Sequence, residues 1–205
     1  ASKRWVMALY LDKEDFAFYA SPDLKRWEQI QTMTVPGCSE CPDFFHITVQ
    51  GEKPGEKGEV KWVWTAANGR YLVGSFDGAR FTPEPGGSRQ VDFGNNYYAV
   101  QTYSDVPDGR RIQVGWMRGG RYPRMPFNQQ MAFPRELRLR QSPDGLRLFS
   151  TPAREIELLH GKRREWSDLT LKPDGENPLS SLEGELFDIE AEFEVQGARA
   201  FGLEI

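Results

Sequence analysis

Apolar runs of four to eleven residues alternate with charged or Gly/Pro-bearing turns over the first 150 positions. Residues 5–11 and 16–20 are apolar runs separated by Asp12-Lys13-Glu14-Asp15, which predicts a hairpin. Ser21-Pro22-Asp23-Leu24 then forms a turn in which Pro presets φ and Asp can bond its own backbone, and Trp27 closes the unit. The plan recurs: strands at 44–49 and 61–65, a turn at Ala67-Asn68-Gly69, a strand at 71–76, a turn at Asp77-Gly78, then Phe81. A third round runs through 97–103, the turn Pro107-Asp108-Gly109, 111–117, 130–140, the turn Pro143-Asp144-Gly145, and 146–149. No stretch before residue 150 sustains a helical period. Repeated aromatic-rich antiparallel sheets of short strands predict an all-β chain whose first 151 residues are blades of a partial β-propeller.

The pattern changes after Pro152. Residues 155–159 are a short apolar segment, and 162–178 are charged and broken by Gly and Pro, so 152–180 reads as a linker. From 182 onward Leu186, Ile189, Ala191, Phe193 and Val195 alternate with acidic neighbours, which is strand patterning. Residues 181–205 are therefore expected to be the first strands of a β-sandwich domain. One or two strands cannot bury an inner face, so that domain is expected to be incomplete.

Composition narrows the function. The 205 residues carry a net charge of −4, with 39% hydrophobic and 13% aromatic residues. An acidic chain of this kind argues against nucleic acid or an anionic membrane as the principal partner, and no apolar run is long enough to span a bilayer. The basic clusters at Arg110-Arg111 and at 135–140 alternate with apolar neighbours as solvated strand faces do. The two cysteines, Cys38 and Cys41, form one C-x-x-C, but His46 and His160 are the only histidines available to complete a zinc site. No βαβ context supports a thioredoxin-type pair either, so no metal and no cofactor are expected.

Glu40-Cys41-Pro42-Asp43 runs directly into Phe44-Phe45, placing an acidic turn against the start of a strand. A glutamate buried at such a point stays protonated to higher pH, as a general acid must. Burial of Glu40 is thus an expectation that the structure can check.

Five ordered motifs carry a family resemblance: Ser21-Pro22-Asp23-Leu24 with Trp27; Glu40-Cys41-Pro42-Asp43; Asp92-Phe93-Gly94 leading into 97–102; Gly109-Arg110-Arg111-Ile112 with Gly115-Trp116-Met117; and 126–130 running into Phe133-Pro134-Arg135-Glu136-Leu137. In that order the chain resembles glycoside hydrolase family 32, the invertases, levanases and inulinases. The resemblance implies a five-bladed β-propeller followed by a β-sandwich, and retaining hydrolysis of terminal β-fructofuranosyl bonds in sucrose or fructans. In retaining enzymes two carboxyl groups stand about 5–5.5 Å apart. It implies Glu40 as the acid/base, Tyr98 as the aromatic beside it and a substrate-binding candidate, and Trp116 as a ring lining the sugar pocket. Asp92 follows as a substrate-binding candidate, with Asn96 a weaker one where many relatives carry an acid. For each ring the alternative is plain core packing.

The chain also departs from the family. The family's nucleophile lies in an Asn-Asp-Pro-Asn-Gly motif and its transition-state stabiliser in Arg-Asp-Pro, yet this sequence holds no Asp-Pro dipeptide. It is therefore expected to be a C-terminal portion of such an enzyme, poorly active alone, with a free propeller edge that invites self-association. Two other functions fit the same residues: a noncatalytic module binding a fructose-containing oligo- or polysaccharide, and a related propeller glycosidase acting on pentose-containing chains. The family is often extracellular or periplasmic, but no compartment is assigned from these residues.

Overall fold

The computed structural model describes residues 3–51, 58–120 and 126–203. Among these described residues twelve strands form three meandering sheets. The first comprises β1 (Trp5–Asp12), β2 (Asp15–Ser21) and β3 (Glu28–Thr34), ordered β1-β2-β3. The second comprises β4 (Asp43–Gln50), β5 (Val60–Thr65), β6 (Arg70–Phe76) and β7 (Phe81–Pro83), with the two-residue β8 (Arg89–Gln90) also on β6. The third comprises β9 (Tyr98–Thr102), β10 (Arg111–Trp116), β11 (Arg135–Ser142) and β12 (Gly145–Pro152). All pairings within these sheets are antiparallel. The second and third sheets meet where β11 turns from β10 to run parallel with β4, at Leu139↔Val49 and Arg140↔Gln50.

The middle sheet is covered on both faces, which explains why its strands read as nearly unbroken apolar runs. Side chains alternate across a strand. Phe45, Val63, Tyr71 and Val73 accordingly enter a core shared with Val100, Leu137 and Leu139, while Phe44, Trp64 and Leu72 enter one shared with Phe16 and Phe18. Phe44 lies stacked on Trp62 at 4.6 Å and edge-on to Phe18 at 4.7 Å. Each such pair adds about 0.5–1.5 kcal/mol beyond its buried area. Gln31 clips the first sheet to the second: its side chain donates to Phe81 O at 2.8 Å and accepts from Phe81 N at 2.7 Å.

The observed strands follow the expected runs, with three additions: β3, the three-residue β7 and β8. β3 escapes an alternation test because the β2–β3 register skips Ile30, pairing Phe18 with Gln31 and Tyr19 with Gln29. Across that bulge Ile30 and Met33, three positions apart, both pack on the second core. β8 is too short to leave a pattern. Residues 130–132 join the third sheet only through an isolated bridge between Met131 and Trp116, so β11 proper begins at Arg135 rather than at 130.

Residues 1–156 and 157–205 are separate compact units. The short apolar segment expected at 155–159 is a 3-10 helix, Arg154–Leu159. In the second unit His160 pairs with Asp188 at 2.7 Å and the Phe193 and Phe201 rings lie 5.2 Å apart. The strand pattern read over 181–205 forms no strand among its described residues, and Leu186 stands 93% exposed. Alternation supplies one sticky face, but a strand also needs a ladder partner for its backbone, and none is found among the described residues.

Candidate active site

The site is built where the turn before β4 meets the start of β9 and the end of β10. Glu40 and Cys41 both have positive φ, 56° and 40°, an unfavourable conformation for residues with a Cβ. Neighbours hold them in it. Ala67 N donates to Glu40 O at 3.1 Å, Gln101 Nε2 donates to Cys41 O at 3.1 Å, and Thr102 N donates to Asp43 Oδ2 at 2.7 Å. Asp43 is thus the clasp that fixes the acidic turn to β9.

A third strained residue completes the geometry. Val114 pairs with Gln101 and Trp116 with Tyr98, so Ala99 and Val100 together oppose Gly115, and Ala99 takes φ 50° at this bulge. Bulges re-aim side chains beside functional sites. Here the bulge leaves the Tyr98 hydroxyl 2.5 Å from Glu40 Oε2, donating to it, with Trp116 as the cross-strand partner of Tyr98. Gly115 is required at this crossing, because a Cβ would come within 2.5 Å of the Tyr97 ring.

Glu40 itself is exposed, which corrects the expectation of a buried acid. The chain enters β4 only at Asp43, so Phe44 and Phe45 go into the two cores while Glu40 stays above the sheet ends. What singles out its carboxylate is the Tyr98 bond. That bond also pushes the Tyr98 phenol above its ordinary range, assisted by burial and opposed by Ser39 and Arg118. Desolvation, then the charge of Glu40, pushes the Cys41 thiol up, and burial does the same for Cys38. Both cysteines are free thiols, Cys38 buried and Cys41 exposed. Among the described residues no cluster of three or more His, Cys, Asp or Glu could hold a metal.

Glu40, Tyr98 and Trp116 are therefore brought together, whereas Asp92 is engaged elsewhere. Arg135 Nη1 donates to Asp92 Oδ2 at 2.5 Å and Gly94 N to Asp92 Oδ1 at 2.9 Å. Arg135 also lies over the Tyr97 ring at 4.8 Å, so Asp92 braces the loop leading into β9. Asn96 Oδ1 accepts from Gly119 N at 2.7 Å. Sequence reading missed Arg118, whose guanidinium stands 4.0 Å from the centre of the Tyr98 ring. No periodicity marks it, since it lies in a loop after the strand.

An exposed carboxylate hydrogen-bonded by a phenol thus stands beside a half-buried Trp at the ends of meandering sheets. The glycosyl hydrolases family 32 N-terminal domain matches residues 1–152, and the chain belongs to that family. Levanase from Bacillus subtilis (strain 168) is 33% identical across 99% of this chain, which covers 33% of the levanase. The extracellular exo-inulinase inuE of Aspergillus niger (strain ATCC MYA-4892 / CBS 513.88 / FGSC A1513) is 26% identical over 94% of the chain and 40% of its own length. The crystal structure of exo-inulinase from Aspergillus awamori aligns with TM-score 0.62 and 26% identity over 74% of this chain and 34% of that one. Fructan 1-exohydrolase IIa from Cichorium intybus, at 21% identity, TM-score 0.62 and coverage of 78% and 34%, shares the fold. The chain spans about a third of the length of the levanase it matches.

Proposed function

We propose that this chain carries the acid/base half of a retaining β-fructofuranosidase site, acting on terminal β-fructofuranosyl bonds of sucrose or of fructans such as levan and inulin. Glu40 would protonate the leaving oxygen and then take a proton from the incoming water. The observation that carries this reading is the Glu40–Tyr98 hydrogen bond within a family-32 domain. Trp116 offers a flat apolar face to the sugar, with Tyr98 serving the acid rather than the substrate; Asp92 acts on substrate only through the loop it braces. In domain terms, 1–151 would be propeller blades, 152–180 a linker and 181–205 the opening strands of a β-sandwich.

With no Asp-Pro motif among its 205 residues, the chain alone is expected to release fructose very slowly. The test is fructose release from sucrose, levan and inulin beside Glu40→Gln. Activity that disappears in the variant supports the assignment; activity that survives it removes Glu40 from the acid/base role. The missing motifs also favour a second reading, fructan binding without turnover. It predicts no release by either protein and levan or inulin affinity unchanged in Glu40→Gln.

We further infer self-association through β1. Among the described residues β1 pairs only with β2, and Trp5, Leu9 and Leu11 are exposed along it. An unpaired apolar edge templates pairing with a second chain. Sedimentation should show concentration-dependent dimers, reduced by Leu9→Lys with Leu11→Lys; a monomer at every concentration overturns this.

A further inference from the structure

The Glu40–Tyr98 bond is only as well defined as the Tyr98 ring. A phenol can swing its hydroxyl by well over an ångström through small changes in its side-chain torsions, and proton transfer tolerates little such freedom. Tyr98 is half-buried and sits on a bulge beside Ala99, so the β-ladder alone holds it loosely.

The loop after β10 supplies the missing constraint. Arg118 lays its guanidinium over the Tyr98 ring at 4.0 Å, within reach of the attraction between a cation and an aromatic face. The arginine is itself held in place one residue further on. Asn96 Oδ1 accepts from Gly119 N at 2.7 Å, and a Cβ at Gly119 would come within 2.7 Å of that same oxygen, so a side chain there would displace the Asn96 amide. Asn96 lies two residues before Tyr98. The loop is thereby tied to the segment that carries the ring it covers, and the chain of contacts runs Asn96 to Gly119, Arg118 to Tyr98, Tyr98 to Glu40.

We propose that Arg118 is a positioning residue for Glu40: clamped on the Tyr98 ring and set there by Asn96, it keeps the Tyr98 hydroxyl on Glu40 Oε2. The other carboxylate oxygen, Oε1, is then the one that exchanges a proton with the substrate. This deepens the acid/base reading of Glu40 and rests on it. The charged groups that act on the hydroxyl are Glu40 from the turn and Arg118 from the loop after β10, with Ser39 as a further hydrogen-bonding neighbour. Of these, Glu40 holds the phenol proton in place and Arg118 loosens it electrostatically. The positional role therefore has a signature that is separable from simple charge.

The experiment is a mutant cycle read on Tyr98 by fluorine NMR of the 3-fluorotyrosine-labelled 205-residue chain, titrating the phenol in wild type, Glu40→Gln, Arg118→Met and Arg118→Lys, and in each Arg118 variant combined with Glu40→Gln. In wild type, Glu40→Gln should lower the Tyr98 midpoint by at least half a pH unit, about threefold in ionisation constant. In the Arg118→Met background that Glu40-dependent drop should shrink to less than half, because the unclamped hydroxyl no longer stays on the carboxylate. Arg118→Lys should restore most of it, and Asn96→Ala should reproduce the Arg118→Met result with arginine still present. A Glu40-dependent drop of full size in Arg118→Met overturns the proposal, as does the absence of any drop in wild type. Dispersed fluorine lines report that each variant is folded. The cycle reads the clamp without turnover, whereas fructose release by Glu40→Gln reads the acid/base role, so the two ideas fail separately.

Discussion

At the scale of single residues, the site depends on backbone that its residue types resist. Glu40, Cys41 and Ala99 all occupy positive φ, a strain of roughly 1–3 kcal/mol each, maintained by the bonds from Ala67, Gln101 and Thr102. The glycine at 115 belongs to the same construction, since the Tyr97 ring fills the space where its side chain would stand. Gly115→Ala should therefore force a buried, hydrogen-bonded tyrosine to move and cost about 1–3 kcal/mol, read as a lower denaturant midpoint. Gly161→Ala, with no atom in range of an added Cβ, is the matched control and should leave the midpoint unchanged. Glu40 could be singled out in the sequence because Glu-Cys-Pro-Asp is a local string. Its exposure was not legible there, because burial depends on where β4 begins and on which way two strained residues turn the chain. Arg118 was invisible for a related reason: its partner is 20 positions away in sequence, and a loop cation carries no pattern.

At the scale of elements, alternation located strands well where one register held throughout, as in β4, β5 and β6. It failed at β3, where the bulge at Ile30 converts a period of two into a spacing of three. Polar connections were equally hidden. Arg110, at the foot of β10, bonds Asp108 in its own hairpin turn and forms a two-pronged pair with Glu155 of the 3-10 helix at 2.6 and 2.9 Å. That pair, with the charge of Arg154 behind it, holds the Glu155 carboxyl down to about 2. For a carboxylate depressed in the folded state, the contribution is present above its unfolded value, about 4.3, and is lost as pH falls towards 2. Carboxyl-carbon NMR should thus find Glu155 titrating near pH 2 and the Arg154–Leu159 helix loosening across that interval. Arg110→Gln should return the midpoint to the ordinary carboxylate range; a Glu155 that titrates there in the unsubstituted chain would show the pair to be solvent-separated. Because Glu155 is more than half exposed, salt should weaken the effect.

At the scale of the whole molecule, the two units differ in what holds them together. Both apolar cores are assembled from residues between Val6 and Leu148, so the three sheets contain all the burial they need within the first unit. The second unit has no buried residue among those described, and Phe187, Ile189, Phe193 and Val195 are each at least 39% exposed. A segment that removes so little apolar surface from water cannot offset the entropy of ordering its own backbone. Its alternating pattern is nevertheless that of a strand, which is why the sequence reading anticipated a sheet there: pattern reports which face would be buried, not whether a partner is at hand to bury it. A chain ending at Ile156 should consequently keep the melting temperature of the 205-residue chain to within about 2 °C, under roughly 1 kcal/mol for a domain of this size. Its far-ultraviolet spectrum should gain in β content per residue. The Tyr98 fluorine line, a reporter from the site itself, should not shift. A fall of 5 °C or more, or a displaced Tyr98 line, would mean that residues 157–205 support the sheets, and the division of the chain into propeller blades followed by a separate sandwich segment would then have to be withdrawn.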